Sequence, residues 1–500
     1  MLSLYGNDAL RALEQAHLTE PLMDRAGYAA AEWARHLSPD PEAPILIVAG
    51  GGNNGGDALT AARFLREAGH RPTVVFTGKT DKLPPDAANA LAAWQAAGGE
   101  VLTSLPQGET TAWSLILDGL FGIGLTRQLR NPANVQIATL NQIAAACRAP
   151  VLALDCPSGL SAQTGARLGE TVRATHTLSF IAAKPGLYTA DGPDCCGEVR
   201  IAPLGIDLSA EATPPDGTLS APPLFAPRLQ NSHKGTYGSV GLIGGAPGMT
   251  GALLLAGRAA LRLGAGRAYL GMIDASAPSV DCVCPELMLR MPAMLFDSGL
   301  SVLAVGPGLS QGRGALALLE RAIDTSLPLI LDADALNLLS GNEPLRKKAR
   351  NRRQPLLLTP HPMEAAKLLG RTTRDIQADR IGAAKKLATS LNAIVALKGC
   401  GTVLAAPDAQ APGGIRWQIN PTGNAGLATA GTGDVLTGMT AAFLAQGMPP
   451  FTALSAAVWL HGKAAEDLAA QGIGPIGLTA SEVIDAARWR MNRPAGPAAA

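Results

Sequence analysis

The sequence predicts an α/β protein built of two domains, each a parallel β-sheet with helices on both faces. Its 500 residues exceed the roughly 250–300 at which a single hydrophobic core stops growing. Short apolar runs alternate with helical patterns in both halves of the chain, as strands and helices do in parallel sheets. Two glycine-rich segments, residues 50–57 and 431–434, each end on an aspartate. They lie in opposite halves and differ in chemistry, so we expect two different sites.

The composition excludes the strongly charged surfaces that bind nucleic acid or membranes, because the net charge is only +1. Among the seven cysteines, neither Cys195-Cys196 nor Cys282 and Cys284 has the spacing of a zinc site. We therefore expect free thiols in a reducing compartment. The sequence shows no signal peptide and no apolar run of ~18 residues, which predicts a cytoplasmic protein.

The first half is predicted to start with one long helix, at 10–35, and then to alternate strands with helices. The predicted strands are 45–49, 73–76, 115–118, 151–155 and 176–180, and the helices between them are 57–68, 85–97 and 133–147.

The second half shows the same alternation. Strands are predicted at 239–243, 267–272, 301–305, 327–332, 356–359 and 393–397, with a hairpin formed by 402–406 and 416–420. Helices are predicted at 251–263, 313–325, 362–370, 378–391, 434–446, 451–470 and 480–491.

The segment between the halves, residues 209–223, is rich in Pro, Ser, Thr and Ala and lacks periodicity, which is typical of a linker. We therefore predict a first domain at 1–210, a linker at 211–225 and a second domain at 226–493. The Pro/Ala-rich tail at 494–500 is predicted to be disordered.

Residues 50–57, Gly-Gly-Gly-Asn-Asn-Gly-Gly-Asp, follow a predicted strand and open a predicted helix. Glycines let the backbone approach a phosphate closely, and a helix N-terminus attracts anions. The segment is neither a Walker A motif nor a GxGxxG fingerprint. It forms either an anion site or a simple tight turn. The polar atoms of Asn53, Asn54 and Asp57 favour the anion site, because a simple turn does not need them.

Two aspartates, Asp118 and Asp155, follow other predicted strands of the first half. Each taken alone is more often a helix cap or a turn former. Because ligands of open α/β sheets bind beyond the carboxyl ends of the strands, we expect these segments to converge on one crevice. Asn54, Asp118 and Ser158 offer oxygen ligands suited to a hard cation.

These segments resemble the NAD(P)H-hydrate epimerases over residues 10–210. The resemblance rests on Leu22-Met23-Asp24-Arg25-Ala26-Gly27, on Asn-Asn-Gly-Gly-Asp at 53–57, on Asp118 with Phe121-Gly122, and on Asp155 with Ser158-Gly159. The chain departs from the family at Gly51, where Pro is usual, and at Ala58, where Gly is usual. Both departures are small and affect loop stiffness more than chemistry.

The resemblance implies a Rossmann-like domain that interconverts the R and S forms of hydrated NADH and NADPH. Asn54, Asp118 and Ser158 would bind K⁺. Asp155 is expected to be the acid/base group, because epimerisation at C6 requires proton movement. Lys184 is a weaker candidate that is equally well explained as a solvated lysine before a turn. The residues implied to bind the dinucleotide are Asn53, Asn54, Gly55, Gly56, Asp57, Phe121, Gly122, Ile123, Gly124, Leu125, Thr126, Arg127 and Asp155.

In the second half, Gly431-Thr432-Gly433-Asp434 precedes a predicted helix. Backbone N–H groups there can stabilise a transferring phosphoryl group, and Asp434 can take a proton from a hydroxyl. Asp434 can also be a plain helix cap. Other segments follow strands as well: Gly306-Pro307-Gly308, the stretch 332–337 that could position metal or substrate, Thr359-Pro360-His361-Pro362, and Lys398-Gly399-Cys400-Gly401-Thr402.

These segments resemble ribokinase-like enzymes, and more narrowly the ADP-dependent NAD(P)H-hydrate dehydratases, over about 226–490. The resemblance implies that Ala252, Gly308, His361 and Asp434 contact the hydrated dinucleotide. It also implies that the adenine nucleotide binds to Lys398, Gly399, Cys400, Gly401, Thr402 and Gly433. Asp434 would deprotonate the C6 hydroxyl, which would attack the terminal phosphate of ADP. Departure of the phosphate would restore NAD(P)H and give AMP, with Mg²⁺ offsetting the phosphate charge.

The leading hypothesis is a bifunctional repair enzyme, an isomerase and a lyase in one chain. Its substrates would be NADHX and NADPHX, the hydrates of NADH and NADPH, with ADP as co-substrate and K⁺ and Mg²⁺ as cofactors. We expect a homo-oligomer without nucleic-acid or membrane partners. The alternative is a ribokinase-like kinase for a small molecule, fused to a nucleotide-binding domain. A non-catalytic nucleotide sensor is disfavoured, because binding alone does not need Asp155 or Asp434.

Overall fold

The computed structural model describes residues 2–106 and 112–493. The chain forms two compact units, of which the first spans Leu2–Thr218 and the second begins at Leu219. The segment predicted as a linker contains this boundary and a short strand, Gly217–Leu219. The tail predicted to be disordered, 494–500, lies outside the described residues. No helix of the described ranges is both long and apolar enough to cross a membrane.

The first unit is built around a parallel sheet with helices on both faces. Its strands are β1 (Ser3–Leu4), β2 (Ile45–Ala49), β3 (Thr73–Phe76), β4 (Val101–Leu102), β5 (Leu115–Gly119), β6 (Val151–Leu154), β7 (His176–Phe180) and β8 (Glu198–Ala202), with β9 (Gly217–Leu219) at the boundary. Its helices are α1 (Asn7–Ala16), α2 (Leu22–Leu37), α3 (Asn53–Glu67), α4 (Pro85–Ala96), α5 (Ala133–Cys147) and α6 (Gly192–Cys196).

The sheet order β4-β3-β2-β5-β6-β7-β8 explains where ligands can bind in this unit. Alternate residues of β2 enter two separate cores: Ile45 and Ile47 pack toward α1–α3, and Leu46 and Val48 pack toward α5. Because helices cover both faces of the sheet, a ligand can approach it at the ends of the strands. β2 pairs with β3 on one side and with β5 on the other, so the order in which the strands are added across the sheet reverses between β2 and β5. This reversal leaves a crevice at the carboxyl ends of these two strands.

The second unit continues the same architecture. Its strands are β10 (Ser239–Gly244), β11 (Arg267–Met272), β12 (Met288–Arg290), β13 (Val302–Val305), β14 (Leu329–Leu331), β15 (Leu356–Leu358), β16 (Ile394–Leu397), β17 (Val403–Pro407) and β18 (Ile415–Ile419). Its helices are α7 (Thr250–Arg262), α8 (Pro292–Leu295), α9 (Arg313–Ile323), α10 (Ala333–Ser340), α11 (Glu343–Arg350), α12 (Pro362–Leu369), α13 (Thr373–Ala378), α14 (Arg380–Leu391), α15 (Thr432–Ala445), α16 (Pro450–Ala470) and α17 (Ala480–Asn492).

The strands of this unit lie in the order β18-β17-β16-β15-β14-β13-β10-β11-β12. Strands β16, β17 and β18 pair antiparallel, as the predicted hairpin requires, and the others pair parallel. The carboxyl ends of β14, β15 and β16 therefore lie side by side. These three ends precede Asp332, the His361 segment and Lys398.

One predicted helix is wrong in extent, and a local residue explains the break. The helix predicted at 10–35 is two helices, because Pro21 at the N-cap position of α2 lacks the N–H that a continuous helix would need there. The helix predicted at 378–391 is α14, which begins at Arg380 because Asp379 leaves the helical conformation and caps α14 with its side chain. The short helix α13 just before it was not predicted.

Candidate functional sites

Glycines of the first site bring three backbone segments into close contact. A Cβ atom at Gly55 would overlap the carbonyl oxygen of Gly50, and one at Gly50 would overlap that of Leu120. The helix predicted to begin at 57 begins at Asn53, so the Asn-Asn-Gly-Gly-Asp sequence forms the first turn of α3 rather than a loop. The glycines pack this turn onto the segment that follows β5.

Asp118 connects two of the converging segments. Its carboxylate accepts hydrogen bonds from the backbone N–H of Ser158 at 2.8 Å, from Ser158 Oγ at 2.6 Å and from the Leu120 N–H at 3.2 Å. Burial raises the pKa of this carboxyl to about 6, and the hydrogen bonds from Ser158 and Leu120 oppose that shift. The side chain is fully buried and holds the segment after β6 in place.

Asn54 carries two buried polar atoms, Oδ1 and Nδ2, that have no hydrogen-bond partner among the described residues. A Cβ atom at Gly122 would lie 3.3 Å from Asn54 Cγ, and the neighbouring Phe121 N–H donates to Ser158 Oγ at 2.8 Å. Asn54, Asp118 and Ser158, the residues predicted to bind a cation, therefore meet around the same segment.

Asp155 and Lys184 form a buried ion pair that the sequence did not reveal. Asp155 Oδ1 lies 2.6 Å from Lys184 Nζ, and its Oδ2 accepts a hydrogen bond from the Ile123 N–H at 3.1 Å. Lys184 is 1% exposed, so it is not the solvated lysine that was one alternative. Its ammonium also donates to Ser179 Oγ and to the Phe180 carbonyl. Asp155 has a φ of 65°, which turns the backbone sharply after β6.

Two further carboxyl groups, Asp57 and Glu14, lie in the field of Asp155. Burial, followed by repulsion from Asp155 and Glu14, raises the pKa of Asp57 well above its usual range. The pKa of Glu14 is also raised, mainly by burial and then by Asp155. A carboxyl group with a raised pKa is protonated more readily, and in its protonated form it can donate a hydrogen bond to a ligand. Glu14 was missed because α1 follows no strand of the sheet and carries no motif.

These groups face a cleft of about 2050 Å³ in the first unit. Most residues predicted to bind the dinucleotide line it, and so do Asp155 and Lys184; the predicted ones are Asn53, Asn54, Asp57, Phe121, Gly122, Ile123, Gly124, Leu125, Thr126 and Arg127. Gly55 and Gly56 are packed behind the wall, against Gly50 and Met23. Asp118 and Ser158 are fully buried beneath it.

The second site is organised around an ion pair between the partly exposed Lys398 and the buried Asp332. Lys398 Nζ lies 2.8 Å from Asp332 Oδ1, and Asp332 Oδ2 accepts a hydrogen bond from Thr437 Oγ1 at 2.8 Å. Burial alone would lower the pKa of Lys398, but the negative charges of Asp332 and Glu364 outweigh it and raise that pKa. Thr437 was not predicted, since it lies inside α15 and carries no motif of its own.

Asp434 lies in the first turn of α15, next to this pair. The helix begins after Gly431, whose φ of 89° is in the left-handed region that favours glycine. Burial, and then repulsion from Asp332, raise the pKa of Asp434 to about 7, while the charge of Lys398 opposes the shift. A carboxylate with that pKa is suited to accept a proton near neutral pH.

His361 is the N-cap residue of α12 and therefore has a structural role. Its Nδ1 accepts hydrogen bonds from the N–H groups of Met363 and Glu364, at 3.1 and 3.4 Å. Its Nε2 lies 3.2 Å from Glu364 Oε1. Burial and the charge of Lys398 lower the pKa of His361, and burial raises that of Glu364 to about 7. The imidazole is half exposed, so it can cap the helix and still contact a ligand.

The residues predicted to contact the hydrated dinucleotide converge from several strand ends. Gly308 has a φ of 61°, and a Cβ atom there would lie 2.5 Å from the Met249 carbonyl oxygen. The same carbonyl accepts the N–H of Ala252 at 3.2 Å, so Gly308 and Ala252 meet at Met249.

The predicted nucleotide-binding segment, 398–402, joins β16 to β17. Gly399 has a φ of 138°, and a Cβ atom there would lie 2.8 Å from the Arg380 guanidinium. Arg380 donates to the carbonyl groups of Leu397 and Lys398, and burial lowers its pKa to about 10. Arg380 belongs to no motif, so this role could not be predicted from the sequence. Cys400 is exposed, as a residue on a ligand-binding loop can be.

Comparison with known proteins gives a consistent result for both units. Residues 19–186 match the family described as YjeF-related protein N-terminus, and residues 240–487 match the family described as NAD(P)H-hydrate dehydratase. The predicted fold class, a Rossmann-like first domain and a ribokinase-like second domain, is confirmed by these matches.

The chain is similar to proteins named bifunctional NAD(P)H-hydrate repair enzyme. It is 36% identical to that of Coxiella burnetii over 98% of this chain and 100% of the relative, and 38% identical to that of Escherichia coli over 92% and 87%. It is 43% identical to the ADP-dependent (S)-NAD(P)H-hydrate dehydratase of Neisseria meningitidis, over 55% of this chain and 92% of that protein. A solved ADP/ATP-dependent NAD(P)H-hydrate dehydratase from Bacillus subtilis is 34% identical, with a TM-score of 0.47 over 54% of this chain and 94% of that chain.

Proposed function

The chain belongs to the family of bifunctional NAD(P)H-hydrate repair enzymes, and from that premise we propose which of its groups perform each reaction. The first unit epimerises R- and S-NAD(P)HX, and the second dehydrates the S form with consumption of ADP. The observation that carries this assignment is that each unit holds its own carboxylate near a lysine: buried Asp155 at 2.6 Å from Lys184, and partly buried Asp434 near Lys398.

In the first unit, Asp155 is the acid/base group. C6 of the hydrate bears a hydroxyl group and the ring nitrogen, so exchange of its configuration requires proton transfer to and from these atoms. Lys184 holds one oxygen of Asp155 through the 2.6 Å contact, and the Ile123 N–H holds the second oxygen. Lys184 therefore acts through Asp155 as a positioning residue.

A potassium ion fits the first unit, and the residues for it are Asn54, Asp118 and Ser158. The fit rests on Asn54, whose buried Oδ1 has no hydrogen-bond partner among the described residues, and on the buried carboxylate of Asp118. Oxygen donors of this kind suit a hard cation. The ion would supply positive charge under the segment that carries Phe121 and Gly122, where the dinucleotide is proposed to bind.

In the second unit, Asp434 takes the proton of the C6 hydroxyl, whose oxygen then attacks the terminal phosphate of ADP. The phosphate leaves with its oxygen as the ring nitrogen lone pair forms a double bond to C6, and loss of a proton from C5 then gives the C5=C6 double bond of NAD(P)H, with phosphate and AMP as the other products. Lys398 and the N–H groups of the first turn of α15 bind the phosphates as their charge shifts. Residues 398–402 and Gly433 hold the nucleotide, and Ala252, Gly308 and His361 hold the hydrate.

Magnesium is proposed to accompany ADP. Among the described residues, no group of three or more His, Cys, Asp or Glu side chains could hold a metal ion. The second site offers mainly cationic and N–H donors to the phosphates, so the phosphate oxygens themselves would provide most Mg²⁺ ligands. The ion would neutralise phosphate charge during transfer.

We also propose that the protein is a cytoplasmic homo-oligomer, as its sequence predicts. A net charge of +1 fits a role on small-molecule substrates, NADHX, NADPHX and ADP, without a nucleic-acid partner.

The test of the second activity is product analysis with pure S-NADHX and ADP. We expect free phosphate, AMP and recovery of the absorbance of reduced nicotinamide. A stable phosphorylated product would support the alternative, a ribokinase-like kinase. Asp434→Asn is expected to lower dehydration by roughly 10²–10⁴-fold, the range for loss of a general base, while ADP still binds. Near-normal turnover by this variant would remove Asp434 from the mechanism.

A further inference from the structure

The carboxylate of Asp332 joins three elements of the second unit. It follows β14 and is the N-cap residue of α10. One oxygen contacts the Lys398 ammonium after β16, and the other accepts the Thr437 hydroxyl on α15, both at 2.8 Å. Asp332 is 1% exposed. A buried carboxylate with both oxygens engaged has no freedom to rotate without losing a contact, so its position is fixed.

The contact with Asp332 places the Lys398 ammonium at the first turn of α15. A Cβ atom built on Gly433 would lie 3.2 Å from Lys398 Nζ and 3.9 Å from Asp332 Oδ2. The N–H groups of this turn have no acceptor within the helix, and they carry the positive end of its dipole. The ammonium and these N–H groups therefore face the same space.

A lysine needs such a partner if it is to act at a defined point. Its ammonium is a strongly hydrated point charge on a flexible stem, unlike the planar guanidinium of arginine. Catalytic donors are effective when they are already in place before charge develops on the reacting group. Lys398 is only partly covered, with its side chain 20% exposed, so packing alone does not determine its position.

We propose that Asp332 is a positioning residue of the dehydration reaction, which fixes the Lys398 ammonium so that it and the first turn of α15 bind the same phosphate of ADP. This inference rests on the function proposed for the second unit. Thr437 supports it by occupying the other oxygen of Asp332, which keeps the carboxylate turned toward Lys398.

Asp332 has a second, measurable effect on Asp434. After burial, its charge is the largest cause of the raised pKa of Asp434. Replacing it with a neutral side chain removes that repulsion and leaves the attraction of Lys398, so the pKa of Asp434 must fall. A residue that only filled space would not move this pKa.

The test uses the full chain with S-NADHX as substrate and varied ADP. We expect Asp332→Asn to raise the KM for ADP by about tenfold or more, which corresponds to loss of a hydrogen bond to a charged group. The acid limb of the pH profile of kcat/KM should move to lower pH. The matched control is Asp324→Asn, which breaks a surface pair of the same composition with Lys348, at 2.6 Å, and should change neither quantity.

A double-mutant cycle separates positioning from a general loss of structure. In a Lys398→Met background, Asp332→Asn should change the KM for ADP by less than about twofold, because the partner through which Asp332 acts is gone. If Asp332→Asn raised the KM for ADP by the same factor in the wild-type chain and in the Lys398→Met background, the proposal would be overturned. The double variant also avoids an unpaired buried charge, so it tests the proposal even if Asp332→Asn alone is unstable.

A second variant, Asp332→Glu, keeps the charge but moves it by one methylene group. We expect a raised KM for ADP here too, and an unchanged KM would contradict the proposal. A wild-type chain that does not convert S-NADHX with ADP would instead overturn the function proposed for the second unit. The Asp332 variants therefore test the positioning role, and the wild-type chain tests the function proposed for the second unit.

Discussion

Asp155 and Asp434 are both carboxylates near a lysine, but their surroundings differ. Asp155 touches Lys184 directly and accepts a backbone N–H, so both oxygens are held by donors. Asp434 is repelled by Asp332 and attracted by Lys398, and burial together with that repulsion raises its pKa to about 7. The second arrangement therefore favours a group that gains and loses a proton near neutral pH.

The pH dependence of dehydration follows from the raised pKa of Asp434. Below about pH 7 the carboxyl group of the free enzyme is protonated and cannot accept the hydroxyl proton. We therefore expect kcat/KM for S-NADHX to fall as the pH drops through about 7, and to level off above it. The measurement is a pH profile at saturating ADP. An acid limb near the ordinary aspartate range would contradict the assignment.

Asp155→Asn is expected to reduce epimerisation by roughly 10²–10⁴-fold, the usual contribution of an acid/base group. The amide is nearly isosteric, so dehydration of pure S-NADHX by the second unit should stay unchanged. Epimerisation is measured by the conversion of pure R-NADHX into the S form without ADP. If the substitution abolished both activities, the assumption of independent sites would be wrong.

At the scale of elements, both candidate sites lie beyond the carboxyl ends of parallel strands, where open α/β sheets bind their ligands. Apolar runs such as β2, β10 and β13 were predictable because they are continuous and fully buried. The strand β8 was missed, since its residues alternate between exposed and half-buried up to Ala202 and form no apolar run. Helices α10 and α11 were missed as well, and α11 is mostly charged.

The side-chain pairs were harder to predict than the strands. Asp155 and Lys184, or Asp332 and Thr437, are distant in sequence and meet only because the sheet orders their strands. The motifs located Asp118, Asp155, Lys398 and Asp434, but motifs carry no information on which atoms touch. The residue patterns therefore predicted the place of each site, and the fold determined the contacts within it.

Gly55→Ala tests the close packing at the start of α3. The new methyl group would overlap the Gly50 carbonyl, so we expect a loss of about 1–3 kcal/mol in the free energy of unfolding, the usual cost of overpacking. The matched control is Gly52→Ala in the same segment, where a Cβ atom meets nothing within 4 Å. Denaturant unfolding of both variants is the measurement. Equal stabilities would show that the backbone does not pack as closely as described.

At the scale of the whole molecule, the two units carry separate chemistry on one damaged cofactor. One moves protons to change configuration, and the other consumes a phosphate bond to remove water. The similarity to bifunctional repair enzymes extends over both units, so it supports the assignment of the two activities together. Because only the S form is dehydrated, the first activity determines how much of a mixed pool the second can repair.

The most direct test is to give the full chain a mixture of R- and S-NADHX with ADP and Mg²⁺, with and without K⁺. Spontaneous epimerisation is measured in parallel, without enzyme. We predict complete conversion to NADH, with AMP and phosphate formed in equal amounts and faster consumption of the R form when K⁺ is present. Conversion that stops when the S form is exhausted, or a stable phosphorylated product, would contradict the account.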